Sequence, residues 1–168
     1  ALETSRRPSL IAFSRQDVPT LREAHTSENL SAKGAYELAG DAYAKVTFLA
    51  TGTEVSMAME ARAKLAAEGI ASRVVSMPCW SLFEEQPIEY RRKTLGPGTV
   101  KVAIEAGARE GWDRYIGSDL LGPIDGSGGG AFIGMKSFGA SGPYKDVYKK
   151  FGITVDAAVD AAKALLKK

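Results

Sequence analysis

From Gly34 onward, short apolar runs alternate with stretches of helical period. Tyr36 to Leu38 is a short strand candidate, and Val46 to Ala50 (Val-Thr-Phe-Leu-Ala) reads as a buried strand. Thr51-Gly52-Thr53 then makes a turn, with Thr53 placed to cap a helix from Glu54 to Glu68. Val55, Ala58, Met59, Arg62 and Leu65 share one face of that helix, and Gly69 ends it. Arg73 to Met77 is the next strand, closed by Pro78; a charged helix follows around Ile88 to Thr94, then a strand over Val100 to Glu105. Gly111 to Tyr115 reads as a single helical turn, Phe132 to Phe138 as a last strand, and Pro143 to Lys150 and Thr154 to Leu166 as two closing helices. The final helix carries a clean stripe of Val155, Ala158, Val159, Ala162, Leu165 and Leu166 behind Thr154 as N-cap. Strand–helix alternation of this kind predicts an α/β fold, a mostly parallel sheet with helices on both faces.

The first thirty-odd residues break this rhythm. Ser9 to Ser14 is a short apolar run after Pro8 and reads as a buried strand, whereas Gln16 to Lys33 is polar, without a sustained period, and reads as a surface connector. A strand with no helix of the usual kind after it suits the last element of a neighbouring domain. The expected division is therefore a tail strand and linker over 1–33 and a domain proper over 34–168.

A length of 168 residues fits one domain with a short appendage. A net charge of +2 argues against a nucleic-acid or membrane-surface protein, since both need clustered basic charge. The one like-sign cluster, Arg91-Arg92-Lys93, reads as a solvated helix face. With one cysteine, Cys79, and one histidine, His25, the chain can form neither an internal disulfide nor a Cys/His metal site, and a cytoplasmic setting is expected. No apolar run reaches membrane-spanning length.

Candidate chemistry is sparse. The glycines of Leu120 to Gly130 fit neither a P-loop nor a dinucleotide fingerprint, so the segment reads as a flexible loop. His25 lies in the connector with no orienting acid beside it, and Cys79 has no histidine partner and reads as a packing residue. Glu84 with Glu85, and Glu105 with Asp113, are carboxylate pairs without a motif. Arg15, directly after the run Ser9 to Ser14, stands where α/β sheets place ligand contacts, and its guanidinium can clasp a phosphate through two hydrogen bonds. The plainer alternative, a surface or interface arginine, is the one physics alone favours.

Five segments occur in order at family-like spacing: Phe13-Ser14-Arg15-Gln16-Asp17-Val18-Pro19, Ala50-Thr51-Gly52-Thr53-Glu54-Val55, Arg73-Val74-Val75-Ser76-Met77-Pro78, Ile104-Glu105-Ala106-Gly107, and Gly130 through Pro143. In register, they resemble the C-terminal end of transketolase over essentially the whole chain. That family moves a two-carbon ketol unit between sugar phosphates with thiamine diphosphate and a divalent cation (Mg or Ca). The resemblance implies that Gly34 to Lys168 is the C-terminal domain, a three-layer α/β/α unit with a mixed, mostly parallel five-stranded sheet. Residues before it would end the pyrimidine-binding domain. It also implies that Arg15 binds a substrate phosphate in the assembled enzyme. No cofactor or metal would bind this chain, and its partners would be the thiamine-binding domains or subunits in a homo-oligomer. The family passes directly from a motif like Gly117-Ser118-Asp119 to one like Gly130-Ala131, whereas about ten residues, Leu120 to Gly129, intervene here. Two rival readings stay open: a subunit of a split transketolase, and a free-standing module that binds a small anion or a protein on the same fold.

Overall fold

The structure is a computed structural model and describes residues 8–22, 24, 26–117 and 129–167. Eleven strands and helices follow a 3-10 turn at Leu30–Lys33. They are β1 (Tyr36–Gly40), β2 (Val46–Ala50), α1 (Glu54–Ala67), β3 (Ser72–Ser76), α2 (Trp80–Glu84), α3 (Ile88–Leu95) and β4 (Val100–Ala108), then α4 (Asp113–Ile116), β5 (Ala131–Met135), α5 (Tyr144–Lys150) and α6 (Val155–Leu166). The strands form one sheet in the order β1-β3-β2-β4-β5. β2, β3, β4 and β5 run parallel, and β1 joins the β3 edge antiparallel, with Tyr36 opposite Ser76. The expected mixed, mostly parallel five-stranded sheet is thus the observed one.

Strand pleat sorts the apolar residues into two layers. Val46, Phe48 and Ala50 of β2 join Val74 of β3 and Val102 and Ile104 of β4 in the main core, which α1 covers with Val55, Ala58, Ala61 and Leu65 and α6 with Ala158, Val159 and Ala162. Leu49, Val75, Ala103 and Phe132 face the other way, onto Phe83, Trp112, Tyr115 and Ile116. All five residues of β2 are buried; four are apolar, and the fifth, Thr47, is satisfied by the Thr99 hydroxyl at 2.6 Å. The expected helices on both faces are present.

Gly34 opens the domain for a steric reason. Its φ is +78°, and a Cβ there would lie 2.2 Å from the Phe83 nitrogen and 2.3 Å from the Cys79 oxygen. Its carbonyl accepts from the Cys79 amide at 2.9 Å, so the start of β1 is fastened against α2.

Several expectations are corrected. Ser9 to Ser14 forms no strand in this chain, and Leu10, Ile11 and Phe13 are exposed (Phe13 at 88%). Apolar character marks a segment for burial without saying against what, and nothing in this fold covers this one. Thr53 is not the side-chain cap of α1: its φ and ψ are already helical and its hydroxyl turns to Glu54. Thr154 does cap α6, accepting from the Ala157 amide at 3.1 Å. β5 ends at Met135 because its pairing with β4 ends there, and Phe138 is 98% exposed. β4 runs past Glu105 to Ala108 through an irregularity in its pairing with β5. On α1, Met59 packs partly buried against the main core as expected and Ala61 joins it fully buried, whereas Arg62 reaches Asp41 and the Ser72 carbonyl. His25 and most of the loop from Leu120 lie outside the described residues.

Candidate functional site

β2 leads through α1 to β3 on one side of the sheet, while β4 lies on its other side. The chain's direction across the sheet therefore switches between β2 and β4, and a crevice beyond the carboxyl ends of two such strands is where α/β sheets hold ligands. Here it receives Thr51 to Glu54 after β2 and Glu105 from the far part of β4.

Glu54, in the first turn of α1, is only 4% exposed. Its Oε1 accepts hydrogen bonds from the Thr53 hydroxyl at 2.8 Å and from the Tyr148 hydroxyl of α5. The amide end of α1 favours a negative charge at this position. Glu105 is half-buried, and its carboxyl is pushed up to about 7, first by burial and second by the charge of Glu54. Tyr148 is pushed up to about 12, chiefly by burial and then by its bond to Glu54, so it stays a protonated donor. The crevice thus carries two carboxylates of unlike character and two hydroxyls. Paired carboxylates there disfavour anions.

The residues singled out from sequence do not gather here. Arg15 sits in an exposed bend, and no hydrogen bond or ion pair joins it to the described residues. Glu105 feels the charge of Glu54, whereas Asp113 pairs with Arg109 at 2.6 Å. Glu84 is held by Arg91 at 2.7 Å and lies 3.7 Å from Arg114, so one member of the basic run is an ion-pair partner and only Arg92 and Lys93 form the solvated face. Cys79 is half-buried; burial raises its thiol, but Ser81 and the amides of Leu82 and Ser81 outweigh that and leave it below the ordinary range. Its Sγ lies 3.3 Å from the Ser81 hydroxyl. Sequence reasoning missed Glu54 and Tyr148, which lie 94 positions apart. The one available signal was an acidic residue in the first turn of a helix that follows a Gly-containing turn.

Between the connector and the sheet lies a depression of about 330 Å³, lined by Leu21, Arg22, Tyr36, Gly52 and Val55 among others. Its one charged group, Arg22, stands 5.9 Å over the Tyr36 ring and bonds Thr26 at 2.9 Å. Among the described residues no group of three or more His, Cys, Asp or Glu side chains could hold a metal ion, and no helix is long and apolar enough to cross a membrane.

Mixed sheet, helical layers on both faces and a switch-point crevice define a three-layer α/β/α domain. Residues 34–154 match the family described as the transketolase-like TK C-terminal domain. The chain is 47% identical over 167 residues to the transketolase of Rhodobacter capsulatus, an alignment covering 99% of this chain and 24% of that protein. Among solved structures, transketolase from Leishmania mexicana superposes with a TM-score of 0.71 at 38% identity, over 82% of this chain and 18% of that one. A split-gene transketolase, described as an inactive beta4 tetramer, shares the fold with a TM-score of 0.65 at 22% identity, over 91% of this chain and 48% of that one. The chain belongs to the transketolase family and corresponds to its C-terminal domain. It spans about a quarter of the length of the curated relatives it matches.

Proposed function

We propose that this chain is the C-terminal part of a transketolase assembly, completing and supporting an enzyme whose cofactor-binding domains lie in other parts of that assembly. The observation that carries this reading is the alignment of 99% of the chain with 24% of a relative called transketolase. The exposed apolar segment supports it too. Leu10, Ile11 and Phe13 belong to an exposed stretch outside the sheet, which a neighbouring sheet would cover by strand addition. On this reading residues 1–33 are the tail strand and linker of the pyrimidine-binding domain and 34–168 the C-terminal domain. Thiamine diphosphate and its divalent cation would be held by those partner domains. There they would supply the carbanion chemistry of ketol transfer between sugar phosphates, in a cytoplasmic homo-oligomer.

Arg15 then has a role its isolation in this chain does not give it. It sits directly after the proposed tail strand, and once that strand is docked its guanidinium would stand at a strand end, free to grip a substrate phosphate. The test is complementation. Mixing the chain with the separately produced thiamine-binding domains of the R. capsulatus relative should restore ketol transfer. The same mixture made with a chain lacking residues 1–33 should not. Activity of the 168-residue chain alone, or equal restoration without residues 1–33, would refute the reading.

A further inference from the structure

Among the described residues three aromatic side chains stand almost wholly in solvent: Phe13, Tyr43 and Phe138. Strand direction sorts them. Tyr43 lies in the turn from β1 to β2, at the amino end of the parallel strands. Phe138 lies just past Met135, where β5 closes, at their carboxyl end. The connector that follows Phe13 meets the sheet at that same end. Arg22 stands over Tyr36, which is opposite Ser76 at the close of β3, and Leu21 and Arg22 share their depression with Gly52, just past β2. The segment carrying Phe13 therefore leaves from the end of the sheet that carries Phe138.

Phe138 does not belong to a loop folded back onto its own domain. Residues 136–143 are exposed throughout, and a Cβ on Gly139 would meet nothing within 4 Å. α5 follows at once and adds Tyr144, exposed and edge-on to Tyr148 at 5.9 Å. The Tyr148 hydroxyl fastens this helix to Glu54 in the first turn of α1, so α5 also sits at the carboxyl end of the sheet. Between 136 and 150 the chain carries Lys136, Lys145, Lys149 and Lys150, all exposed, against a single acid, Asp146. Among the described residues none of these lysines has an ion-pair partner; Lys145 and Lys150 rest only against the rings of Tyr144 and Phe151. Elsewhere Lys33, Lys64 and Lys163 each hold a carboxylate of this chain.

We propose that Phe138, with the lysines around it in the chain, is a second anchor onto the thiamine-binding part of the assembly, its ring seated in an apolar socket with an acidic rim. This rests on the reading above, in which the tail strand docks on that part. Continuity chooses the occupant first: the end of the sheet that carries Phe138 is the one from which the connector leads to the tail strand, so one partner surface reaches both. Charge chooses it next, since the unpaired lysines are complementary to carboxylates. Size agrees, because the chain covers only 24% of the R. capsulatus relative and the rest offers a surface far larger than this domain. A ring at the centre with charged groups at the rim is the usual build of a binding hot spot. Tyr43, at the opposite end of the sheet, stays in solvent.

Titrating the 168-residue chain with the thiamine-binding domains of the R. capsulatus relative, at low and at moderate salt, tests the anchor. Phe138→Ala should weaken association roughly tenfold or more. Tyr43→Asn should leave it unchanged, and asparagine suits the left-handed φ of 59° at that position. Both rings are exposed, so both variants should melt with the unaltered chain. Lys136→Glu combined with Lys145→Glu should weaken association about fivefold at low salt and flatten its salt dependence. If the unaltered chain associates and Phe138→Ala associates equally well, the anchor is refuted while the assembly reading stands. If the unaltered chain does not associate at all, both fall. The proposal is overturned too if Phe138→Ala abolishes self-association of the chain, which makes the occupant a second copy. Loss of binding to vesicles of anionic phospholipid in that variant overturns it in favour of a membrane.

Discussion

A single backbone angle makes Gly34 the least replaceable residue of the domain entrance. Alanine there must adopt φ near +78° and place its methyl against the Phe83 nitrogen. Left-handed strain of about 1–2 kcal/mol adds to overpacking of about 1–3 kcal/mol, so Gly34→Ala should cost about 2–5 kcal/mol in urea unfolding. Glu105 works in the other direction. Its folded carboxyl titrates near 7 against an ordinary 4.5. The protonated form is thus favoured by folding: its contribution is complete below about pH 4.5 and is lost as pH rises to about 7. Glu105→Gln should therefore raise stability at pH 8 by about 1–2 kcal/mol, after discounting for solvent screening, and hardly change it at pH 4.5. Thermal unfolding of the two proteins at the two pH values gives the comparison. For Arg15 the expectation concerns the assembled enzyme: Arg15→Ala should weaken use of phosphorylated acceptors by about 1.5–3 kcal/mol while sparing unphosphorylated ones. Lysine should restore only part of the loss, because a point charge lacks the planar fork.

Among the elements, those buried on both faces or striped on one were the legible ones. β2 shows itself as five apolar or small residues in a row, and α6 as a period with a threonine ahead of it. Thr154→Ala should accordingly cost about 1 kcal/mol. Thr53 carries the same residue type in a similar position, yet the chain has entered helical backbone by then and its hydroxyl serves Glu54 instead. Residue type announces a cap; only the local dihedrals decide whether it is one. The run to Phe138 misleads for a related reason, since apolar residues past Met135 have no partner strand beside them. The crevice was illegible because Glu54, Glu105 and Tyr148 come from three elements that only the finished sheet brings together. Hydrophobic period carries no record of which polar residues will meet.

At the scale of the molecule, the fold accounts for its own core and leaves the N-terminal apolar segment uncovered. Phe13 and Leu10, at 88% and 96% exposure, are a cost in water that a neighbour would remove. Replacing both with aspartate should leave thermal stability nearly unchanged while abolishing complementation by partner domains. A large loss of stability would mean that the segment packs on this domain after all. The layering has a practical result as well. Both tryptophans of the chain, Trp80 and Trp112, lie on the same side of the sheet with ring centres 5.0 Å apart. Their emission is therefore a one-sided witness: it reports on the layer of α2 and α4 and is nearly blind to that of α1, α5 and α6. An unfolding curve followed by fluorescence will coincide with one followed by circular dichroism only if the two layers melt as one.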